Sequence, residues 1–178
     1  MKNISGDVTI RRAEPGDARG IAEVHVSSWR TSYRGIVPEA RLEALDAESR
    51  VPFWEAHLET CFVSVDGDGV ITGFASAGPA QSDELGTDGE IHAIYLVEAA
   101  KKQGIGRRLM YEAVSCLREA GCRSVCLWLL KENPARGFYE RFGGRIVGEK
   151  PYVTGGFTLV AIGCKWDDID TLLESLAG

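Results

Sequence analysis

Lys101-Lys102-Gln103-Gly104-Ile105-Gly106-Arg107-Arg108 joins the strongest strand pattern in the chain, Glu90-Ile91-His92-Ala93-Ile94-Tyr95-Leu96-Val97, to a strong helical one. The helix starts near Gly106, carries Leu109, Met110, Ala113, Val114 and Leu117 on one stripe, and ends at Gly121. A glycine-rich turn from strand to helix points backbone N–H groups into a concavity at the positive end of the helix. Glycine is needed there because a side chain would block close approach of phosphates. Four basic residues within eight positions add charge to the same place. The physical reading is an anion site for a pyrophosphate. The turn lacks the Gly-Lys-Ser/Thr ending of a P-loop. It also lacks a third glycine at the dinucleotide-binding spacing and a first βαβ strand at the N-terminus. A lone Gly-x-Gly is as readily a plain tight turn with a solvated basic rim, so the flanking elements have to decide.

Upstream, Val8-Thr9-Ile10-Arg11 alternates as a strand, and a helix runs from Asp17 to about Tyr33 on Ile21, Val24, His25, Ser28 and Trp29. Gly35 and Pro38 break it. Glu39 to about Leu58 reads as two short helices interrupted at Pro52. Cys61–Val65 and Val70–Ala75 flank the turn Asp66-Gly67-Asp68-Gly69 as a hairpin, and Gln81 to Gly89 is an acidic loop. Downstream, Val125–Leu130 is a continuous apolar run, as in a strand buried on both faces. A helix opens at Asn133-Pro134-Ala135 and stops at Gly143-Gly144. Arg145–Tyr152 and Phe157–Cys164 form a last hairpin around Gly155-Gly156, and Asp167–Leu176 is an amphipathic tail helix. The order β-α-α-β-β-β-α-β-α-β-β predicts one mixed α/β domain over residues 1–178, with no internal repeat or linker.

Two segments carry a resemblance to the GNAT superfamily of acetyl-CoA-dependent N-acetyltransferases. Lys101-Lys102-Gln103-Gly104-Ile105-Gly106 resembles its cofactor motif Arg/Gln-x-x-Gly-x-Gly/Ala, with Lys101 in place of the usual Arg or Gln. Asn133-Pro134-Ala135-Arg136-Gly137-Phe138-Tyr139-Glu140-Arg141-Phe142-Gly143-Gly144 is similar to its Asn-x-x-Ala/Arg-x-x-Phe-Tyr-x-x-x-Gly-Phe, with Gly144 in place of the usual Phe. The element order agrees over residues 7–164, and Ser28 to Pro38 looks like a run seen in many bacterial members. The resemblance implies a mixed, mostly antiparallel sheet of six to seven strands flanked by helices. Its two central parallel strands, at 90–97 and 124–130, are expected to splay into a V. Acetyl-CoA would then lie with its pantetheine arm along the backbone of Leu96 and Val97. Its pyrophosphate would rest on Lys101, Lys102, Gln103, Gly104, Ile105, Gly106, Arg107 and Arg108. Asn133 would face the arm across the cleft, with Arg136 as a further contact.

Acetyl transfer to an amine by direct attack in a ternary complex needs a deprotonated nucleophile, a stabilised oxyanion and a proton for the departing thiolate. The backbone N–H near Leu96 is suited to polarising the thioester carbonyl. Glu90, at the head of the central strand behind an acidic loop, is the candidate base, and histone-type members of the resembling family carry their base at this spacing. The bland alternative is a solvated strand-end carboxylate. His92 competes with Glu90, because a free imidazole titrates near neutrality, although a His inside an apolar strand is more often a hydrogen-bonded core residue. Tyr139 is the candidate acid, since the family places a Tyr here and a phenol with an ordinary pKa of about 10 can protonate a thiolate. Its alternative is an aromatic core residue, as Phe138 and Phe142 are read. Trp29 and Tyr33, with Phe53 and Trp54, can wall an acceptor pocket or simply fill the core.

The composition sets the outer bounds. Of 178 residues, 44% are hydrophobic and 26% charged, which are ordinary globular values. A net charge of −6 speaks against nucleic acid as partner, and no apolar run is long enough to span a bilayer. Met1 to Ile10 holds Lys2 but no apolar stretch of a signal peptide, so a cytoplasmic protein is expected. The five cysteines read as small buried hydrophobes, and the scattered histidines give no metal motif. Small-molecule amines and peptides both remain as acceptors. A binding sensor that has kept the cleft and lost the chemistry is the rival from another class. A homodimer through the tail from Asp167 is compatible with the resemblance.

Overall fold

Seven strands follow the hydrogen-bonded order β1-β2-β3-β4-β5-β7-β6. They are β1 (Thr9–Arg12), β2 (Cys61–Val65), β3 (Ile71–Pro79), β4 (Gly89–Leu96), β5 (Val125–Leu130), β6 (Arg145–Thr154) and β7 (Phe157–Trp166). The helices are α1 (Ala18–Ser32), α2 (Glu39–Glu43), α3 (Val51–Glu55), α4 (Ile105–Glu119), α5 (Arg136–Arg141) and α6 (Ile169–Ala177). The computed structural model describes residue 4 and residues 6–178. Met1–Asn3 and Ser5, part of the stretch weighed above as a leader, lie outside the described residues. By their contacts the residues fall into two units, one up to Ser76 with Ala93–Ala113, the other Ala77–His92 with Val114–Gly178. The division falls inside β3, β4 and α4.

In the first unit β1 pairs antiparallel with β2, and β2 with β3 through a bulge at Ser64/Val65. Asp17 fixes the approach to α1: its carboxylate accepts from Arg11 at 2.6 Å and from the Glu14 amide at 2.7 Å. The helix then buries Ala18, Ile21, Ala22 and Val24 against Trp54, Cys61, Val63 and Phe74. The sequence predicts an interruption at Pro52. The proline stands instead in the first turn of α3, where a missing N–H removes no helical bond.

In the second unit β4 and β5 run parallel through Gly89↔Val125 and Glu90↔Cys126, and β7 lies antiparallel between β5 and β6. β5 is buried at every position but Trp128, whose ring carries the Lys150 ammonium at 3.8 Å from its centroid. The helix expected from Asn133 begins at Arg136. Asn133 Oδ1 accepts from the Ala135 amide at 2.8 Å and makes the preceding turn. Gly144, the departure from the resembling motif, has a packing cause. A Cβ there would stand 2.5 Å from Cys164 Sγ and 2.7 Å from the Trp166 ring. Trp166, which donates to the Phe142 carbonyl at 2.8 Å, takes that space. Asp168 caps α6 by accepting from the Asp170 amide at 3.0 Å. The reading of all five cysteines as buried needs correction: Cys61, Cys126 and Cys164 are buried, but Cys116 and Cys122 are partly exposed. Burial pushes the Cys164 thiol up to about 12, with Glu140 adding to it, which makes it a packing residue rather than a reactive one.

Candidate active site

The glycine turn lies wholly in the first unit, between the 3-10 turn Glu98–Ala100 after β4 and the start of α4. Gly104 has φ +77° and Lys102 φ +61°, the one non-glycine at positive φ among the described residues. The α4 ladder opens with the Arg108 amide donating to the Gly104 carbonyl at 3.1 Å. The N–H groups of Ile105, Gly106 and Arg107 therefore have no carbonyl four residues back within the helix. A Cβ at Gly104 would meet nothing within 4 Å, so the turn is open on that side. Its flanks are tied down. Lys101 Nζ donates to Ser32 Oγ at 3.1 Å and to Glu98 Oε2 at 2.7 Å. Gln103 Nε2 donates to the Ala99 carbonyl at 2.5 Å, and Arg108 to the Val8 carbonyl at 3.0 Å. Lys102 is exposed and Arg107 partly so. Donors aimed outward from a fixed turn, with cations around them, fit a pyrophosphate.

The end of β4 belongs to the same unit. Val97 donates its amide to the Thr72 carbonyl at 2.9 Å and is thereby committed to β3. Alternation along the strand turns the Leu96 amide to the opposite edge. Ser28 Oγ donates to the Leu96 carbonyl at 2.6 Å and fixes α1 against this point. The close approach relies on Gly73, where a Cβ would stand 3.0 Å from Leu96 Cγ and 3.1 Å from the Tyr95 carbonyl.

Trp29 and Tyr33 are both buried and meet edge to face at 4.8 Å between centroids. Trp54 is buried as well, whereas Phe53 is 54% exposed, stacks on His57 and meets Trp54 edge to face. At the centre of this group stands His25, which the sequence reading placed only on the apolar stripe of the first helix. Its ring stacks on Tyr95 at 5.1 Å and 11°, and also touches Trp29, Trp54 and Phe74. Burial, with the charge of Arg50, pushes its pKa down to about 3. A histidine on a buried helical stripe was the available signal for it.

The second unit holds the remaining candidates. Glu90 is buried, and its Oε2 accepts from the Gln81 amide at 2.9 Å. It is therefore not the solvated strand-end carboxylate of the bland alternative. Gln81, which the sequence assigns only to a polar loop, is its partner. His92, expected in the core if it was not a base, is exposed. Its Nε2 lies 3.2 Å from the Pro79 carbonyl, and its ring covers Gly78, where a Cβ would stand 3.0 Å away. Tyr139 is buried beside Phe138 and Trp166. Arg136 is exposed and paired with Glu140 at 2.9 Å. Among the described residues no His, Cys, Asp and Glu group could hold a metal ion, and no helix is long and apolar enough to cross a membrane.

The model of the acetyltransferase (GNAT) family matches residues 23–144. The N-acetyltransferase YuaI of Bacillus subtilis is 37% identical over 93% of this chain and 96% of its own. Among solved structures, a GCN5-related N-acetyltransferase from Rhodopseudomonas palustris superposes with a TM-score of 0.71 at 17% identity, covering 94% of this chain and 98% of that one. The structure of yncA from Salmonella typhimurium with its cofactor acetyl-CoA gives 0.67 at 21% identity, covering 91% and 94%.

Proposed function

The chain belongs to the GNAT acetyltransferase family, and from that premise we propose that it transfers acetyl from acetyl-CoA to a primary amine by direct attack in a ternary complex. The amides of Ile105, Gly106 and Arg107, with Lys102 and Arg107 as counter-charges, bind the pyrophosphate. The Leu96 amide, on the edge of β4 away from β3, donates to the thioester oxygen as negative charge develops there. Val97 lines the arm by its side chain and carbonyl, since its amide is taken by Thr72.

The amine arrives protonated and must lose a proton before its lone pair can attack the acetyl carbon. Glu90 takes that proton, directly or through one water. As the C–N bond forms and the C–S bond breaks, Tyr139 gives its phenolic proton to the departing thiolate, and the second proton shed by the acylated nitrogen returns to the tyrosine through solvent. Trp29, Tyr33 and His92 contact the acceptor, and Asn133 and Arg136 contact the cofactor arm. The products are the N-acetylated amine and free CoA.

One observation supports this reading most strongly: the open strand-to-helix turn at Gly104, with the first amides of α4 unbonded within the helix and cations on its rim. Calorimetric titration with acetyl-CoA tests it. Gly106→Trp should abolish binding in a folded protein, because the phosphates need backbone contact there. Unchanged affinity in that variant would remove the basis of the assignment.

A further inference from the structure

Five buried side-chain polar atoms among the described residues lack a hydrogen-bond partner, and three of them are His25 Nδ1, Trp29 Nε1 and Trp54 Nε1. That concentration matters because the three rings form one cluster. The His25 centroid lies 6.1 Å from that of Trp29 and 5.5 Å from that of Trp54. Buried donors are normally satisfied, and those left over point to a missing partner. Trp29 and Trp54 are 8% and 3% exposed, while His25 and Tyr95 are only partly buried.

We propose that His25, Trp29 and Trp54 form the subsite for the acetyl acceptor, and that this acceptor is an amine carrying a carboxylate or carbonyl oxygen. The inference rests on the acetyl-transfer reading and adds the acceptor's chemistry to it. An indole N–H can only donate, so two indoles require an acceptor atom on the ligand. A neutral imidazole offers a donor at one nitrogen and an acceptor at the other, and burial keeps His25 neutral. The charge of Arg50 adds to burial in disfavouring a proton on His25. The rings touching His25 are Trp29, Trp54, Phe74 and Tyr95. Of these only Tyr95 is partly exposed, and its face can take the hydrocarbon part of the ligand and its ammonium group. Placement is right for the chemistry, since His25 stacks on Tyr95, the residue before Leu96, and Ser28 Oγ ties the same helix to the Leu96 carbonyl.

The test pairs each α-amino acid with the amine that lacks its carboxylate: L-phenylalanine with phenethylamine, L-leucine with isoamylamine, L-lysine with cadaverine. Amino-acid amides form a third arm that separates carboxylate from neutral carbonyl. Thiol release at saturating acetyl-CoA should give a kcat/KM at least about 10-fold higher for the oxygen-bearing member of a pair. His25→Phe and Trp29→Phe keep an aromatic ring at each position and remove the nitrogens, and each should bring that ratio toward one. Should either variant fail to fold, the indole N–H resonances of the wild-type protein supply the same test. They should move on adding L-phenylalanine and stay in place on adding phenethylamine. Equal turnover within every pair, no turnover of any oxygen-bearing amine, or a preference kept intact by both folded variants would overturn the proposal. An enzyme that binds acetyl-CoA and acetylates only the simple amines would overturn this inference and leave acetyl transfer standing. Absence of acetyl-CoA binding would remove both.

Discussion

Ser28 Oγ donates a 2.6 Å hydrogen bond to the carbonyl of Leu96, tying the middle of α1 to the end of β4. Ser28 is 1% exposed, so water does not replace the bond when the hydroxyl is removed. Ser28→Ala should lower stability by about 1–3 kcal/mol, the range for a buried acceptor that loses its donor. Leu96 also carries the amide proposed to polarise the thioester. A small shift of the strand end should therefore reduce kcat on the order of 10-fold. Urea unfolding and steady-state kinetics measure the two effects, and an unchanged midpoint would show that the carbonyl has found another donor.

Lys102 is held at φ +61°, a region that costs an L-residue roughly 1–2 kcal/mol. Lys102→Gly removes that strain but gives the unfolded chain more freedom, a loss of about 0.4–1 kcal/mol. The strain term is the larger, so the variant should gain about 0.5–1 kcal/mol of stability by the difference of the two. Lys102→Ala keeps the strain and removes the charge. It should gain nothing and bind acetyl-CoA as weakly as the glycine variant, a few-fold below wild type. If both variants keep full affinity, the Lys102 charge takes no part in the anion site.

The neutral, part-buried His25 makes a prediction about acid. Its folded pKa of about 3 lies below the unfolded value near 6.5, so the unfolded chain binds the extra proton between those limits. The contribution to stability is complete above pH 6.5. It is lost as pH falls toward 3, at no more than about 1.4 kcal/mol per pH unit. Asp17, held low by its hydrogen bond to Arg11, loses its contribution only as pH falls below about 3.8. Urea midpoints at pH 7.5 and pH 5 should differ in wild type and much less in His25→Phe. Equal losses in both proteins would place the acid sensitivity elsewhere.

How far these features were legible in the sequence follows from the range of the interactions. The β5 run Val125–Leu130 and the hairpin around Gly155-Gly156 stand where local pattern puts them, because periodicity and turn chemistry act over a few residues. The glycine turn was legible for the same reason. The bond between Ser28 and Leu96 and the commitment of the Val97 amide to Thr72 join distant segments, and no local period records them. The place of Glu90 at the head of β4 is legible from its position, but its loop partner Gln81 is not, since one backbone amide in a polar loop looks like any other. His92 shows the opposite failure. The apolar letters around it suggested burial, yet its side of the strand is open, and Gly78 leaves room for the ring to lie over β3.

The proton-transfer roles proposed for Glu90 and Tyr139 call for variants that leave the packing intact. Tyr139→Phe keeps the ring beside Phe138 and Trp166, at 5.2 and 6.3 Å between centroids. If the hydroxyl protonates the departing thiolate, kcat should fall by about 10²–10⁴-fold with little change in acetyl-CoA affinity. Near-normal turnover would make Tyr139 a core ring and nothing more. Glu90→Gln is the sharper substitution, because the carboxamide oxygen can still accept from the Gln81 amide and hold the loop. Stability should therefore stay close to wild type while turnover drops. A lost base should be partly compensated at high pH, where the amine deprotonates unaided, so the ratio of wild-type to variant kcat should shrink as pH rises. A ratio that is flat with pH would assign Glu90 to holding the loop or the substrate. His92, exposed on the same strand, would then be the residue to replace next, with His92→Gln measured over the same pH range.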